Sequence, residues 1–253
     1  MKQTQTYKMY CSRIGFYLLG CLVLALGIIM NTKAGLGVSP IISVPYSISQ
    51  IWNLNLGDIT MIVYVLFILF QMLLHWQLDR RKKAREEPIV CPLPRVLLTD
   101  VLQLLVSAVF TRLLDLFSAF LPDLTKDCAG SFWGTLAGRI LFLLLAIILT
   151  GCGAALSLDM RLVPNPADGM VQSLSDLFGK SMGLTKNTFD LVNVAFTMTL
   201  SLVVTGHLVG IGLGTVLSMI GVGRVIAVFN HFFFHKTARL AGLQLSFGGS
   251  AAK

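Results

Sequence analysis

Long apolar runs separated by short polar breaks dominate the chain. Six of these runs reach the length of about 17–25 residues that a helix needs to cross a bilayer. We predict membrane-spanning helices over residues 14–30, 59–76, 96–120, 132–158, 188–205 and 208–234. The alternating segments of about ten residues that form transmembrane β-barrels do not occur in the sequence. The pattern therefore predicts an all-α polytopic membrane protein.

Two further apolar segments, residues 37–52 and 163–178, are too short to span. In each of them a polar residue precedes a proline, Ser39 before Pro40 and Asn165 before Pro166. A polar residue caps a helix and proline suits its first position, so a helix should begin at each proline. Such a helix ending at residue 52 would be about 20 Å long, against a hydrocarbon core of about 30 Å. We predict two re-entrant half-helices.

Charge orients these segments in the membrane. The chain is 55% hydrophobic and 13% charged, with a formal net charge of +8. Its cations concentrate near the N-terminus, in a basic loop over residues 77–95, and near the C-terminus. If the short segments do not cross, all three regions lie on one side, and the positive-inside rule makes that side cytoplasmic. This explains the basic character without nucleic acid, for which no pattern of stacking aromatic residues is present.

The two halves of the chain resemble each other at an offset of 126 residues, as from Pro40 to Pro166. Ser47 and Ser49 match Ser173 and Ser175 in the same register. Beyond the basic loop the offset becomes 112, and Arg112 matches Arg224. We predict two repeats, residues 1–126 and 127–253, with three crossings each. An odd number of crossings gives the repeats opposite orientations, a plan that recurs in transporters.

In this arrangement the N-termini of the two half-helices meet near the membrane midplane. Their free N–H groups and positive dipole ends would face a shared cavity. The residues expected to bind substrate there are Ser39, Ile42, Ser43, Asn165, Asp168 and Gly169. One alternative is that the two prolines start helices in extramembrane loops. The role of Asp168 is also open, since it could cap its helix or bind a coupling proton or cation.

Polar residues within the predicted spans are a second source of candidates, because ionisable groups there are costly. They include Asp100, Gln103, Asp190, and the repeat-related pair Arg112 and Arg224. The two arginines would favour an anionic solute. Arg112 also lies three residues before Asp115, and an ion pair along one helix face is an equally good interpretation.

The sequence thus predicts a secondary transporter or channel for a small polar or anionic solute. The alternative is a non-transporting membrane protein that regulates or scaffolds another complex. We expect no enzyme, because no nucleophile elbow, zinc-hydrolase helix or phosphate loop occurs. The five cysteines show no C-x-x-C spacing, so no metal site and no cofactor are expected. Besides the solute and the lipid bilayer, a second copy of the chain is a compatible partner.

The run GIIMNTKAGLGVSPIISVPYSIS, residues 27–49, resembles the YczE/YyaS/YitT-like family of bacterial integral membrane proteins. Its most specific part is the stretch N-T-K-A-G-L-G-x-S-P. The resemblance extends over most of the chain. It implies a multi-pass protein of the bacterial cytoplasmic (inner) membrane, with both termini cytoplasmic on the charge pattern above. The family is largely uncharacterised, so the resemblance implies little about the substrate.

Overall fold

A computed structural model describes residues 2–84 and 92–241, and within these ranges the chain is helical, with no strand. The helices are α1 Lys2–Lys33, α2 Pro40–Trp52, α3 Leu56–Ala84, α4 Leu93–Phe120, α5 Leu136–Asp159, α6 Pro166–Phe178, α7 Met182–Thr205 and α8 Leu213–Leu240. Residues 85–91 of the predicted basic loop and residues 242–253 of the predicted second repeat lie outside the described part.

Six of these helices, α1, α3, α4, α5, α7 and α8, are long and apolar enough to cross a membrane. The prediction of an all-α protein with six spanning helices is therefore confirmed, although some bounds differ. The basic residues 80–83 prolong α3 instead of starting a loop, because Arg and Lys are good helix formers and suit the negative end of the helix dipole. α5 begins at Leu136, since residues 132–134 form a separate 3₁₀ turn.

The short helices α2 and α6 begin where the sequence predicted. Each has 13 residues and starts with proline, and each ends in a left-handed residue, Asn53 or Gly179. Asn165 caps α6 by accepting a hydrogen bond from the Ala167 N–H at 3.3 Å. Ser39 makes no such side-chain bond at the start of α2.

Helices α1 and α5 pack closely against each other at the centre of the molecule. Glycines permit the approach: a Cβ atom on Gly27 would lie 2.5 Å from the Thr150 nitrogen, and one on Gly153 would lie 2.4 Å from the Leu24 nitrogen. Around this pair, α6 packs on α3 and α2 packs on α7, while α4 and α8 pack on α1 and α5, respectively. Small residues allow such close backbone contact between membrane helices.

Two arginines hold the segments that lead into the short helices. Arg139 on α5 donates from Nε to the carbonyl of Ala34 at 2.8 Å, and from Nη2 to the carbonyl of the next residue at 2.5 Å. Arg13 on α1 donates in the same way to Met160 at 2.6 Å and to the next residue at 2.9 Å. Each arginine thereby satisfies carbonyl groups at a helix end that have no partner inside the helix. The two segments are fixed by equivalent contacts.

Candidate functional site

A cavity of about 170 Å³ lies where α2 and α6 begin. Ser39 and Pro40 line one part of it, and Asn165 and Asp168 line another. Tyr64 of α3 is also in the wall. The fold therefore brings the N-termini of both short helices to one central cavity. The free N–H groups at helix N-termini favour groups with negative or partial negative charge.

Helix α7 adds charged groups to the central cavity. Lys186 and Asp190 are four residues apart and share one helix face, and both line the cavity. The Lys186 Nζ atom lies 4.0 Å from Asp168 Oδ1. Asp190 is 5% exposed, and its Oδ1 atom has no hydrogen-bond partner among the described residues. A buried carboxylate oxygen without a partner is costly, so it marks a place where a ligand can donate a hydrogen bond.

A larger cavity of about 770 Å³, here called the vestibule, lies between α3, α4, α6 and the segment that follows α5. It is at the end of the molecule where α3 ends and α4 begins. Leu158, Val163 and Pro164 line both the vestibule and a small cavity of about 10 Å³. Leu24 and Asn165 in turn line both the small and the central cavity. The three cavities therefore follow one another and share walls.

His75, Asp100, Ser173 and Gln71 form a polar network in the wall of the vestibule. The His75 Nδ1 atom lies 2.8 Å from Asp100 Oδ2, and the His75 Nε2 atom lies 2.9 Å from Ser173 Oγ. Gln71 donates to the other Asp100 oxygen at 2.5 Å. The network joins α3, α4 and α6. Gln71 and His75 are four residues apart on α3, which places both on the same face.

Glycine at position 169 allows two buried amides to approach α6. A Cβ atom there would lie 2.6 Å from Gln71 Oε1 and 3.1 Å from Gln103 Nε2. Within residues 2–84 and 92–241, the Gln71 Oε1 atom and both polar atoms of the Gln103 amide have no hydrogen-bond partner. These three atoms provide hydrogen-bonding capacity beside the vestibule.

The corresponding region beside α2 is closed. Ser43 Oγ lies 3.0 Å from Thr197 Oγ1, and Ser47 Oγ lies 3.0 Å from Ser201 Oγ. Residues 206–212 cover this end, and the Val38 N–H donates to the Gly210 carbonyl at 2.8 Å. The region beside α2 is thus filled by direct contacts between helices, whereas the matching region beside α6 contains the vestibule.

The six substrate residues predicted on α2 and α6 and at their starts separate into three groups. Ser39, Asn165 and Asp168 line the central cavity, and Gly169 lines the vestibule. Ile42 and Ser43 are fully buried, with Ile42 in the hydrophobic core.

The two predicted arginines lie away from both the vestibule and the central cavity. The Arg112 side chain is 66% exposed and forms ion pairs with Asp58 at 2.8 Å and Asp115 at 3.1 Å. The pairing of residues three apart that the sequence offered as an alternative is therefore present. Arg224 is exposed on α8 and is not in the wall of either cavity. The structure does not bring the two arginines together with the predicted half-helix residues.

Sequence reasoning missed Gln71, His75 and Lys186. Gln71 and His75 fell at the end of a predicted span, where polar residues are expected, and Lys186 fell before the predicted start of its span. The offset of 126 aligns Gln71 and His75 with Thr197 and Ser201, so polar residues recur at matched positions in the two halves. This recurrence is the sequence signal that points to Gln71 and His75. Within the described residues, no group of three or more His, Cys, Asp or Glu side chains is placed to hold a metal ion.

Comparison with known proteins identifies relatives without an assigned activity. A family described as "Family of unknown function (DUF6198)" matches residues 11–231. The chain is 24% identical to the "Uncharacterized membrane protein YczE" of Bacillus subtilis, over 83% of the chain and 82% of that protein. It is 22% identical to the "Uncharacterized protein YyaS" of the same organism, over 85% and 90%, respectively. An uncharacterised protein of Haemophilus influenzae is 32% identical over 42% of the chain and 43% of its own length. No solved structure matches.

Proposed function

We propose that this chain, which belongs to the YczE-like membrane-protein family of unknown function DUF6198, is a secondary transporter. Its substrate is a small polar or anionic solute. The solute binds in the central cavity between the starts of α2 and α6. The protein lies in the bacterial cytoplasmic membrane with both termini cytoplasmic, which puts the basic end of α3 and the vestibule on the cytoplasmic side.

The proposal includes two inverted repeats with α2 and α6 as re-entrant half-helices. Three pairs of contacts support it, each related by the offset of 126 residues. Arg13 and Arg139 bind equivalent carbonyls, Gly27 and Gly153 make equivalent close approaches, and the hydroxyl groups of Ser49 and Ser175 donate to the carbonyls five residues later at 2.7 and 2.6 Å. A chance similarity of sequence would not reproduce contacts of three kinds.

The observation that carries the transport function is the composition of the central cavity. Two helix N-termini and Lys186 favour a carboxylate or carbonyl group of the solute, while the unpartnered oxygen of Asp190 favours a hydrogen-bond donor. The Ser39 hydroxyl makes no capping bond, so it is available to the solute. These groups suit a small molecule that bears both an acceptor and a donor.

The vestibule and the closed region beside α2 support alternating access. In this arrangement the central cavity lies behind the vestibule on one side and behind helix contacts on the other. Exchange of the open and closed sides between the two repeats would carry the solute across. Because the sequence has no nucleotide-binding motif, a solute or ion gradient would drive the movement.

The test is flux in proteoliposomes with a panel of radiolabelled amino acids, small carboxylates and polyols. For a transported solute, Asn165→Leu and Asp190→Asn should each lower the initial rate by about tenfold or more. The leucine removes the hydrogen-bonding amide, and the asparagine replaces the carboxylate by a neutral amide with one acceptor oxygen. Ser39→Ala should lower the rate less. Asp58→Asn is the matched control, because that carboxylate is 57% exposed and outside the cavity.

Unchanged flux in Asn165→Leu, Ser39→Ala and Asp190→Asn would exclude the central cavity as the solute site. If no solute in the panel moves and a second protein co-purifies in a fixed ratio, a regulatory or scaffolding function replaces transport.

A further inference from the structure

The network around His75 combines a titratable group with access to water. Asp100 and Ser173 are 1% and 2% exposed, whereas the His75 side chain is 16% exposed, and all three residues line the vestibule. Imidazole is the side chain that ordinarily changes its charge between about pH 5 and pH 8. A proton can therefore reach His75 from the vestibule, while the partners of His75 stay buried.

When Asp100 is ionised, the hydrogen bonds of this network are all satisfied only if His75 carries two protons. Ser173 Oγ lies 2.9 Å from the Gly169 carbonyl oxygen as well as 2.9 Å from His75 Nε2. A hydroxyl group has one proton to donate. If Ser173 donates it to Gly169, His75 must donate from Nε2 to Ser173, and from Nδ1 to the Asp100 carboxylate. Loss of the Nε2 proton turns the Ser173 hydroxyl group from Gly169 towards His75.

We propose that His75 and Asp100 bind the proton that is coupled to transport, and that Ser173 passes the protonation state to α6. The proton enters from vestibule water and is held on His75 Nε2, where the charge of the imidazolium is balanced by the Asp100 carboxylate. Helix α6 begins at the central cavity with Asn165 and carries Asp168. A shift of α6 therefore changes the solute site, and this coupling role rests on the proposed transport function.

Other charged groups that face the vestibule contribute to the field at His75. They are Asp79 and Lys82 on α3, Arg95 on α4, Arg161 after α5, and Asp176 on α6. These cations and anions partly cancel. Asp100 is the described carboxylate within hydrogen-bond distance of the imidazole, so it is the group that sets the charge balance of the proton site.

The order serine, histidine and aspartate also occurs in hydrolases, but the position of Ser173 favours a proton site. Ser173 lies in the third turn of α6, where the backbone N–H groups are used by the helix and cannot form an oxyanion hole. Its hydroxyl group also lies within hydrogen-bond distance of the carbonyl four residues earlier in the same helix. Proton binding requires neither an oxyanion hole nor a free hydroxyl group.

The test measures how fast a membrane-impermeant thiol reagent reaches the vestibule at different pH values. In a cysteine-free protein, Leu162→Cys reports on the vestibule wall, and Lys180→Cys, at an exposed position, corrects for the pH dependence of thiol reactivity. The ratio of the two labelling rates should fall by about threefold or more from about pH 5.5 to about pH 8. The reason is that the open arrangement is the one that satisfies doubly protonated His75.

His75→Gln and Asp100→Asn should flatten this pH profile, and Ser173→Ala should flatten it without loss of the His75–Asp100 pair. His207→Gln is the matched control and should keep the profile, because the His207 ring contacts the Thr205 carbonyl far from the vestibule. The proposal is overturned if the labelling ratio does not depend on pH in the protein that carries only the reporter cysteines. So does an unchanged profile in His75→Gln and Asp100→Asn variants that elute as folded protein.

Covalent labelling of Ser173 by a fluorophosphonate would also overturn the proton site, in favour of a hydrolase. The transport function and the coupling role fail separately. Solute flux combined with a profile independent of His75 excludes coupling alone. A profile that depends on His75, in a protein that moves no solute, supports the proton site and excludes the proposed transport.

Discussion

The surroundings of α2 and α6 share one backbone plan but differ in openness. Both helices have 13 residues, begin with proline, and follow a segment that an arginine holds through two carbonyls. Beside α6 lies the vestibule of about 770 Å³. Beside α2, Ser47 and Ser201 meet at 3.0 Å and residues 206–212 cover the end. The backbone plan alone therefore does not determine which side is open.

The difference lies in a few side chains at matched positions. His75 on α3 stands where α7 has Ser201, and Gln71 stands where α7 has Thr197. Short hydroxyl groups contact α2 directly. In contrast, the longer His75 side chain reaches Ser173 of α6, and both His75 and Gln71 contact Asp100 of α4. The paired backbone contacts therefore position the starts of α2 and α6, and these side chains make the region beside α6 the more polar of the two.

The largest expected effect comes from the glycines where α1 and α5 cross. Gly27→Val and Gly153→Val should each lower the free energy of unfolding by about 3 kcal/mol or more, because the added Cβ overlaps backbone atoms of the other helix. Unfolding by SDS titration measures the change. Gly15→Val is the control, because a Cβ there meets no atom within 4 Å in the part of the chain that the structure describes. A large loss in one of the two variants and none in the other would break the equivalence of the two halves.

The next effect concerns the arginines that hold the two connecting segments. Arg13→Gln and Arg139→Gln each remove two charge-assisted hydrogen bonds to carbonyls. We expect each to lower the free energy of unfolding by about 1.5–3 kcal/mol, measured by the same titration. Arg224→Gln, at an exposed position, should change it little. Equal, small losses in all three variants would show that the paired carbonyl contacts do not stabilise the connections.

A smaller effect should distinguish the starts of α2 and α6. Asn165→Ala removes a capping bond to the Ala167 N–H, so it should cost about 0.5–2 kcal/mol. Ser39→Ala should cost less, because the Ser39 side chain makes no capping bond. Thermal unfolding of the solute-free protein compares the two variants. A greater loss of stability in Ser39→Ala than in Asn165→Ala would contradict the prediction, because it would make Ser39 the stronger cap.

Much of the fold follows from the sequence, because bilayer thickness sets the length of an apolar helix. The same limit identified α2 and α6 as too short, and their prolines marked where they begin. The site was harder to predict. Ser39 and Asn165 were found because a helix start is a local signal, but Lys186 joins them only through the packing of α7.

The role of Arg112 shows the same limitation. Hydropathy places it within a span, yet its side chain reaches the ion pair with Asp58 near the start of α3. The depth and direction of a side chain depend on helix ends and packing, which hydropathy does not contain. Its predicted role in binding an anion is untested, and the observed ion pairs give it a structural explanation.

The most direct test of the central claim, that α2 and α6 enter the membrane from opposite sides, is thiol labelling just beyond each helix. Leu54 and Lys180 are exposed, and both lie two residues after their helices end. In a cysteine-free protein, an impermeant reagent should label Leu54→Cys only from outside the cell and Lys180→Cys only from the cytoplasmic side, in right-side-out and inverted vesicles. Labelling of both cysteines from the same side would contradict the inverted arrangement.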